Sequence, residues 1–489
     1  MNRTRTALLP FAIFLLGLAL RLYRLGDVSF WLDEAGVALA ARAETLGGML
    51  SVVRSHVLAM PLDYLIVWLV GRVNTSEFAL RLPAVLWGSF SLPLAYALYR
   101  RFLSRTPALL GMLILALVPL HIQYSQELRF YASLVFFYLL ATLLLWDAVQ
   151  QPTVRRWALF TLAAVVGVYF HAYVLLCLAN GAVWLAQFGF RGALARTRRL
   201  GLIASGLVIL LAFLAGYVTF SASNMFAIPL MAMVESPVAA ILAGLGWLPY
   251  YTAQPGWDWL WGLLLAVLTI TGAMLLFRQG PRLGTAWFSP AAGLLVSAVL
   301  QMAAILLSDV AGHYFFAPRQ WIFLLPALCM AAGAGAAAVA DAATGAIRPR
   351  SESARATGYL LAALVLILAA VPAIRGYQQD DKGASRAVVE NILREWQPGS
   401  SVLVYPAYEG YVYKYYLDFT DPLPEAAGRV WGATWDLVKQ AGKWDNPVYV
   451  ITPARLRGQE VDDLHSIGYE PVFSSNPQSR YAKTLWRKP

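Results

Sequence analysis

The chain is poor in charge, nearly free of cysteine, and has no lysine before Lys382. Only 13% of its 489 residues are Asp, Glu, Lys or Arg, whereas 59% are hydrophobic. So little charge excludes an ordinary soluble enzyme and places the chain among polytopic membrane proteins. The lysine gap means that any cation used before residue 382 must be Arg or His. The two cysteines, Cys177 and Cys329, lie far apart in apolar runs without a CxxC partner. They read as small buried hydrophobes. Neither HxxxH nor HExxH spacing occurs, so histidine spacing gives no zinc site, although carboxylates from separate loops leave room for a divalent cation.

What is present is a series of apolar runs from Ala7 to about Ile374, each long enough to cross a hydrocarbon core. Beyond Arg375 the composition changes to that of a soluble α/β domain. The first run is too long, and lacks the small-residue cleavage site, to read as a removable signal peptide. The formal charge of +11 raises the question of nucleic acid, but its distribution answers it. Arginines gather in every second short loop: Arg3 and Arg5; Arg100, Arg101 and Arg105; Arg155 and Arg156; Arg191, Arg196, Arg198 and Arg199; Arg278 and Arg282; Arg348, Arg350 and Arg355. This is the positive-inside pattern of cytoplasmic loops, a topology signal with no nucleic-acid partner implied.

Placing those loops in the cytoplasm predicts about eleven spans, at 7–25, 79–99, 107–121, 129–147, 157–172, 173–190, 200–220, 258–277, 286–307, 319–340 and 357–375. The N-terminus is then cytoplasmic, 1–375 forms the transmembrane domain, and 376–489 lies outside. Residues 26–78 form a long outer loop whose apolar segment, Met60 to Val70, is too short to cross comfortably and reads as a helix in the outer interface. A second outer loop, 221–257, carries Pro229, Pro237, Pro249 and Pro255. The Ala331–Ala340 run suits close helix packing. In the tail, Ala384–Trp396 has helical amphipathicity. Val402–Tyr405, Val448–Ile451 and Ser479–Trp486 read as strands of a small α/β sandwich.

Ionisable groups avoid the predicted span interiors and gather where spans meet the outer surface: Asp33, Glu34, His56, Glu127, Arg129, His171, Asp309, His313 and Arg319. Ion-coupled transporters need such groups near the midplane. An outer-face cluster suits an enzyme acting on a lipid-linked substrate at the membrane–water boundary. In Trp31-Leu32-Asp33-Glu34-Ala35, neighbouring carboxylates on a helix project about 100° apart and do not easily address one atom. One can serve as general base while the other binds a cation or orients its neighbour. Both also suit the start of a helix, where negative charge is favoured. Arg129 and Arg319 suit the phosphate of a polyprenyl lipid, with an internal ion pair or snorkelling as the plainer readings. His56 and His171 read as hydrogen-bonded structural groups or ligands. The tyrosines at 405, 408, 411, 413, 415 and 416 invite a sugar-binding reading, but packing accounts for them more simply.

Taken in order, these residues resemble the C-type membrane glycosyltransferases, in the bacterial branch related to protein O-mannosyltransferases and lipid A aminoarabinose transferases. The resemblance rests on Trp31-Leu32-Asp33-Glu34-Ala35, Pro61-Leu62-Asp63-Tyr64, Glu77-Phe78-Ala79-Leu80-Arg81-Leu82-Pro83 and Tyr124-Ser125-Gln126-Glu127-Leu128-Arg129-Phe130-Tyr131-Ala132. It continues in Tyr169-Phe170-His171, Pro318-Arg319-Gln320 and Leu325-Pro326, and covers about 1–375. It implies an α-helical polytopic fold with a C-terminal α/β extracytoplasmic domain in a bacterial plasma (inner) membrane. It also implies a polyprenyl-phosphate sugar donor, an acceptor hydroxyl on a glycan, lipid or protein, and a single inverting displacement. Asp33 becomes the general base and Glu34 its support. Arg129 and Arg319 hold the lipid phosphate, with Glu127, His56, Tyr131, His171 and His313 lining the substrate site. The chain departs from the family in the spacing of His56 and Pro61 and in Asp63, which stands where a tyrosine is usual. No lysine matches the one that contacts donor phosphate in the aminoarabinose branch. The rival readings are a transporter or flippase of lipid-linked sugars and a noncatalytic assembly scaffold.

Overall fold

The computed structural model describes residues 3–56, 59–188, 194–220, 258–279, 288–311, 318–347, 352–378, 382, 384–419, 430–477 and 482–488. The helices are α1 (Arg3–Leu22), α2 (Leu32–Arg42), α3 (Leu46–Arg54), α4 (Pro61–Gly71), α5 (Glu77–Tyr99), α6 (Arg105–Leu117), α7 (Pro119–Ser125), α8 (Tyr131–Gln150), α9 (Val154–Phe170), α10 (Cys177–Phe188), α11 (Ala195–Phe220), α12 (Asp258–Arg278), α13 (Pro290–Ala311), α14 (Leu325–Ile347) and α15 (Glu352–Gln378). Among the described residues seven helices are long and apolar enough to cross a membrane, or eight if the bent pair α6–α7 counts as one. This is a multi-pass membrane protein, and the expected count of eleven spans is not confirmed among the described residues. The helix α9 has 17 residues and stops before His171, whose extended backbone starts a short 3-10 turn, Ala172–Leu176, at the boundary predicted between two spans. The expected loop 221–257 lies outside the described residues.

The third predicted span is also broken. Val118, extended at φ −62° and ψ 119°, separates α6 from α7, and the two helices bend by 59°. The cause is Pro119, whose ring pushes the preceding residue out of the α region. All seven residues of α7 are buried.

The chain divides into two compact units. The first comprises 1–23, 53–65 and 82–375. In it α12 and α14 approach until backbone meets backbone. A Cβ at Gly272 would sit 1.8 Å from the Ala331 carbonyl oxygen, and one at Gly335 2.0 Å from that of Leu268. Only glycine fits there, the close-packing role that small residues play between membrane helices. A polar knot joins α8, α10 and α13. The Tyr138 hydroxyl donates to Gln301 Oε1 at 2.9 Å, Gln301 Nε2 donates to Asn180 Oδ1 at 3.1 Å, and Asn180 Nδ2 donates to Thr142 Oγ1 at 3.0 Å. With no water available, such groups must satisfy one another.

The expectation that span interiors hold no Arg fails at Arg21, in the last turn of α1, which is 0% exposed. It is tolerable there because its donors are used: Nη1 reaches the Gly17 carbonyl at 2.8 Å, Nε reaches Ser125 Oγ at 3.2 Å, and Nη2 meets His121 Nδ1.

The second unit comprises 24–52, 66–81 and 376–489, so residues 24–52 and 66–81 group with the C-terminal segment. Its five-stranded sheet has β1 (Ser401–Val404), β2 (Val430–Gly432), β3 (Val448–Pro453), β4 (Glu470–Ser474) and β5 (Lys483–Arg487) in the order β2-β1-β3-β5-β4. β1 runs parallel to β2 and β3, with Val402 opposite Tyr449, and β5 is antiparallel to β3 and β4. Helices α16 (Ser385–Arg394), α17 (Gly410–Phe419), α18 (Trp435–Ala441) and α19 (Gly458–Ser466) complete it. Central parallel strands bury both faces, which is why Val448–Ile451 is an uninterrupted apolar run. Leu403, Val438, Val450, Leu464 and Trp486 pack together in the core.

Candidate functional site

The Asp33-Glu34 pair sits in the first turn of α2, behind an extended Trp31. The two carboxylates have separate fates, as their angular offset requires. Glu34 is fully buried: Arg81 donates Nε to Oε1 and Nη2 to Oε2, both at 2.7 Å, and Lys382 Nζ lies 3.8 Å from Oε2. Arg81 spends its other hydrogens on the carbonyls of Leu25, Val28 and Ser29, at 2.7 to 3.1 Å. Asp33, one residue earlier, is partly exposed. One carboxylate is therefore committed to the fold, while the other stands at a helix N-terminus where its negative charge is favoured. The Glu34 oxygens already take two charge-assisted bonds from Arg81. Among the described residues no group of three or more His, Cys, Asp or Glu side chains is arranged to hold a metal ion.

The first unit contains a second cluster. Arg319, in the 3-10 segment Pro318–Leu324, donates Nε to the Tyr131 hydroxyl at 2.8 Å. The Arg129 guanidinium lies 4.5 Å from the Phe130 ring centroid and 5.8 Å from that of Tyr131. Two guanidinium groups thus converge on one tyrosine at the start of α8. His171 packs edge-on to Phe130 at 4.8 Å, and its Nδ1 accepts the Tyr173 backbone N–H, leaving Nε2 as the proton-bearing nitrogen when the ring is neutral. Glu127 is buried and accepts Gln123 Nε2 at 2.8 Å, a local role inside its own turn. His56 is half-buried, with Ser55 Oγ 3.2 Å from its Nδ1 and its ring 5.7 Å from that of Tyr64. His313 lies outside the described residues, as does the side chain of Asp309.

Asp63, in α4, is 7% exposed and accepts a hydrogen bond from Ser133 Oγ at 3.4 Å. Burial pushes its carboxyl up to about 6, against the lowering pull of the Ser133 hydroxyl and the Arg129 charge.

The family model described as dolichyl-phosphate-mannose-protein mannosyltransferase matches residues 59–218. ArnT from Cupriavidus metallidurans, solved bound to undecaprenyl phosphate, shares a TM-score of 0.60 at 14% identity, covering 100% of this chain and 99% of that one. The oligosaccharyltransferase of Archaeoglobus fulgidus, in complex with Zn and sulfate, gives 0.57 at 12% identity, covering 98% of this chain and 73% of that one. The chain has the fold of the C-type membrane glycosyltransferases. No curated protein sequence matches it.

Within this glycosyltransferase fold, sequence reasoning missed two cations and undervalued a carboxylate. Arg81 stood inside a quoted motif without a role, because its partner Glu34 is 47 positions away. Lys382 is the first lysine of the chain, and nothing near it in sequence ties it to Glu34. Asp63 was noted as a departure, but a carboxylate within the apolar run Met60–Val70 was itself a signal. The tyrosines divide: Tyr413, Tyr415 and Tyr416 are buried, as packing requires, whereas Tyr408 and Tyr411 are exposed.

Proposed function

We propose that this protein is an inverting glycosyltransferase that moves a sugar from a polyprenyl-phosphate donor to an acceptor hydroxyl at the outer face of a bacterial plasma membrane. The observation that carries the reading is the convergence of Arg129 and Arg319 on Tyr131. A guanidinium pair at the start of an apolar helix suits a phosphodiester whose lipid tail lies in the bilayer. The residue roles follow from the chemistry. Asp33 accepts the proton of the acceptor hydroxyl as its oxygen forms a bond to the anomeric carbon. The bond from that carbon to the phosphate oxygen breaks with its electron pair, and the polyprenyl phosphate leaves with its added charge held by Arg129 and Arg319. Electrostatic stabilisation of the leaving group and positioning of the acceptor supply the rate. Glu34, taken up by Arg81, orients the Asp33 turn rather than reacting. The N-terminus is cytoplasmic in this reading, and the donor and acceptor meet on the opposite side.

Membranes of a deletion strain test it. They should accumulate a polyprenyl-phosphate sugar and lack that sugar in an envelope glycan, lipid or protein, read by mass spectrometry. Purified protein added to those membranes after detergent solubilisation should consume the accumulated donor. A flippase has no two sides to work between in detergent, so persistence of the donor there would favour the transport reading.

A further inference from the structure

Within the second unit, the C-terminal segment contacts the residues just before Asp33. The Tyr416 hydroxyl accepts the Phe30 backbone N–H at 2.6 Å and donates to Glu77 Oε1 at 3.0 Å. Arg386 Nε donates to the same Glu77 oxygen at 3.1 Å, its Nη2 reaches the Gly26 carbonyl at 3.3 Å, and its backbone N–H donates to Ser29 Oγ at 3.0 Å. The Phe30 ring lies edge-on to Tyr415 at 5.5 Å, with the Arg81 guanidinium 5.0 Å from its centroid. Lys382 adds positive charge beside Glu34. Residues 26, 30 and 34 each meet a side chain from 382–416 and Ser29 meets the Arg386 backbone N–H, while Asp33 itself stays partly exposed.

We propose that the C-terminal domain is a positioning element, with Tyr416 and Arg386 holding the Gly26–Glu34 turn so that Asp33 keeps one geometry. The reason is elementary. The turn is a loop with few backbone hydrogen bonds of its own, so its conformation must be imposed by neighbours. Two ionic or hydroxyl ties converge on Glu77, and a third contact caps the Phe30 N–H, an amide that α2 itself cannot satisfy. A general base displaced by about 1 Å loses on the order of a hundredfold in rate, so fixing this turn has direct kinetic value. The role of Asp33 rests on the function proposed above, but the clamp does not.

The test uses the full chain in detergent with Tyr416→Phe and Arg386→Gln, and Tyr411→Phe on the exposed face as control. Deuterium exchange of 29–35 should accelerate at least tenfold in both clamp variants and stay unchanged in the control, with the sheet domain's protection intact. The rate of donor consumption at saturation, measured on donor accumulated in deletion-strain membranes, should fall about ten- to a hundredfold, with the half-saturating donor concentration within twofold. Unchanged exchange at 29–35 in both variants overturns the clamp, whatever the kinetics do. Accelerated exchange with an unchanged rate overturns its positioning role. Should Asp33→Asn also leave the rate unchanged, the failure lies in the function reading, and the exchange result still judges the clamp.

Discussion

Glu34 and Arg81 form a two-point ion pair, both bonds 2.7 Å long, with neither side chain more than 2% exposed. Breaking a buried pair by removing one partner strands a charge and costs about 3–5 kcal/mol. Arg81→Met should therefore lower the melting temperature of the detergent-solubilised protein sharply. The double variant Glu34→Gln, Arg81→Met should recover part of that loss, because the carboxylate that Arg81 leaves behind is neutralised, with Lys382 the one charge that loses Glu34. Equal destabilisation of the double and single variants would show that the pair does not act as a unit.

A second prediction concerns pH. The Asp63 carboxyl, raised by burial to about 6, lies above its unfolded value of about 3.9. Below about pH 4 it is protonated in both states and burial carries no ionisation penalty. As pH rises through about 6 the folded state must hold a buried charge, and stability falls by up to about 3 kcal/mol. Asp63→Asn should be neutral in acid and stabilising at pH 7 to 8, read by denaturation in detergent at each pH.

The same titration bears on the donor, since ionised Asp63 competes for Arg129. Affinity for a polyprenyl-phosphate sugar, a diester with no titration of its own in this range, should rise as pH falls through about 6. Asp63→Asn should flatten that dependence. A wild-type affinity independent of pH between 5 and 8 would remove Asp63 from the account.

Arg319 donates its Nε to the Tyr131 hydroxyl at 2.8 Å, a tie that fixes the plane of its guanidinium fork. Arg319→Lys keeps the charge but loses the fork, and should weaken donor binding about tenfold. Tyr131→Phe removes the tie that aims the fork and should have a smaller effect in the same direction. Titration of each variant with a polyprenyl-phosphate sugar, followed by thermal shift, checks both.

What the sequence revealed followed from whether the causes were local. The alternation and apolar runs that mark β1, β3 and α16 are carried by neighbouring residues and were legible. Pro119 was visible too, yet its break in the third span became meaningful only once α7 was seen to be buried. The Asp33-Glu34 motif was legible as a helix start with two roles. Which carboxylate is committed to the fold was not, because Glu34 is claimed by Arg81, 47 positions on, and by Lys382. Long-range ion pairs leave no periodic trace. The boundary near residue 172 between two predicted spans was legible, and the structure has its 3-10 turn there, Ala172–Leu176.

The account turns on Asp33 as the group that takes the acceptor's proton. Asp33→Asn, nearly isosteric, tests it most directly when donor consumption in solubilised deletion-strain membranes is measured beside the melting temperature. The account predicts a loss of at least a hundredfold in rate, with the melting temperature and membrane insertion unchanged. Donor consumption at the wild-type rate would contradict it.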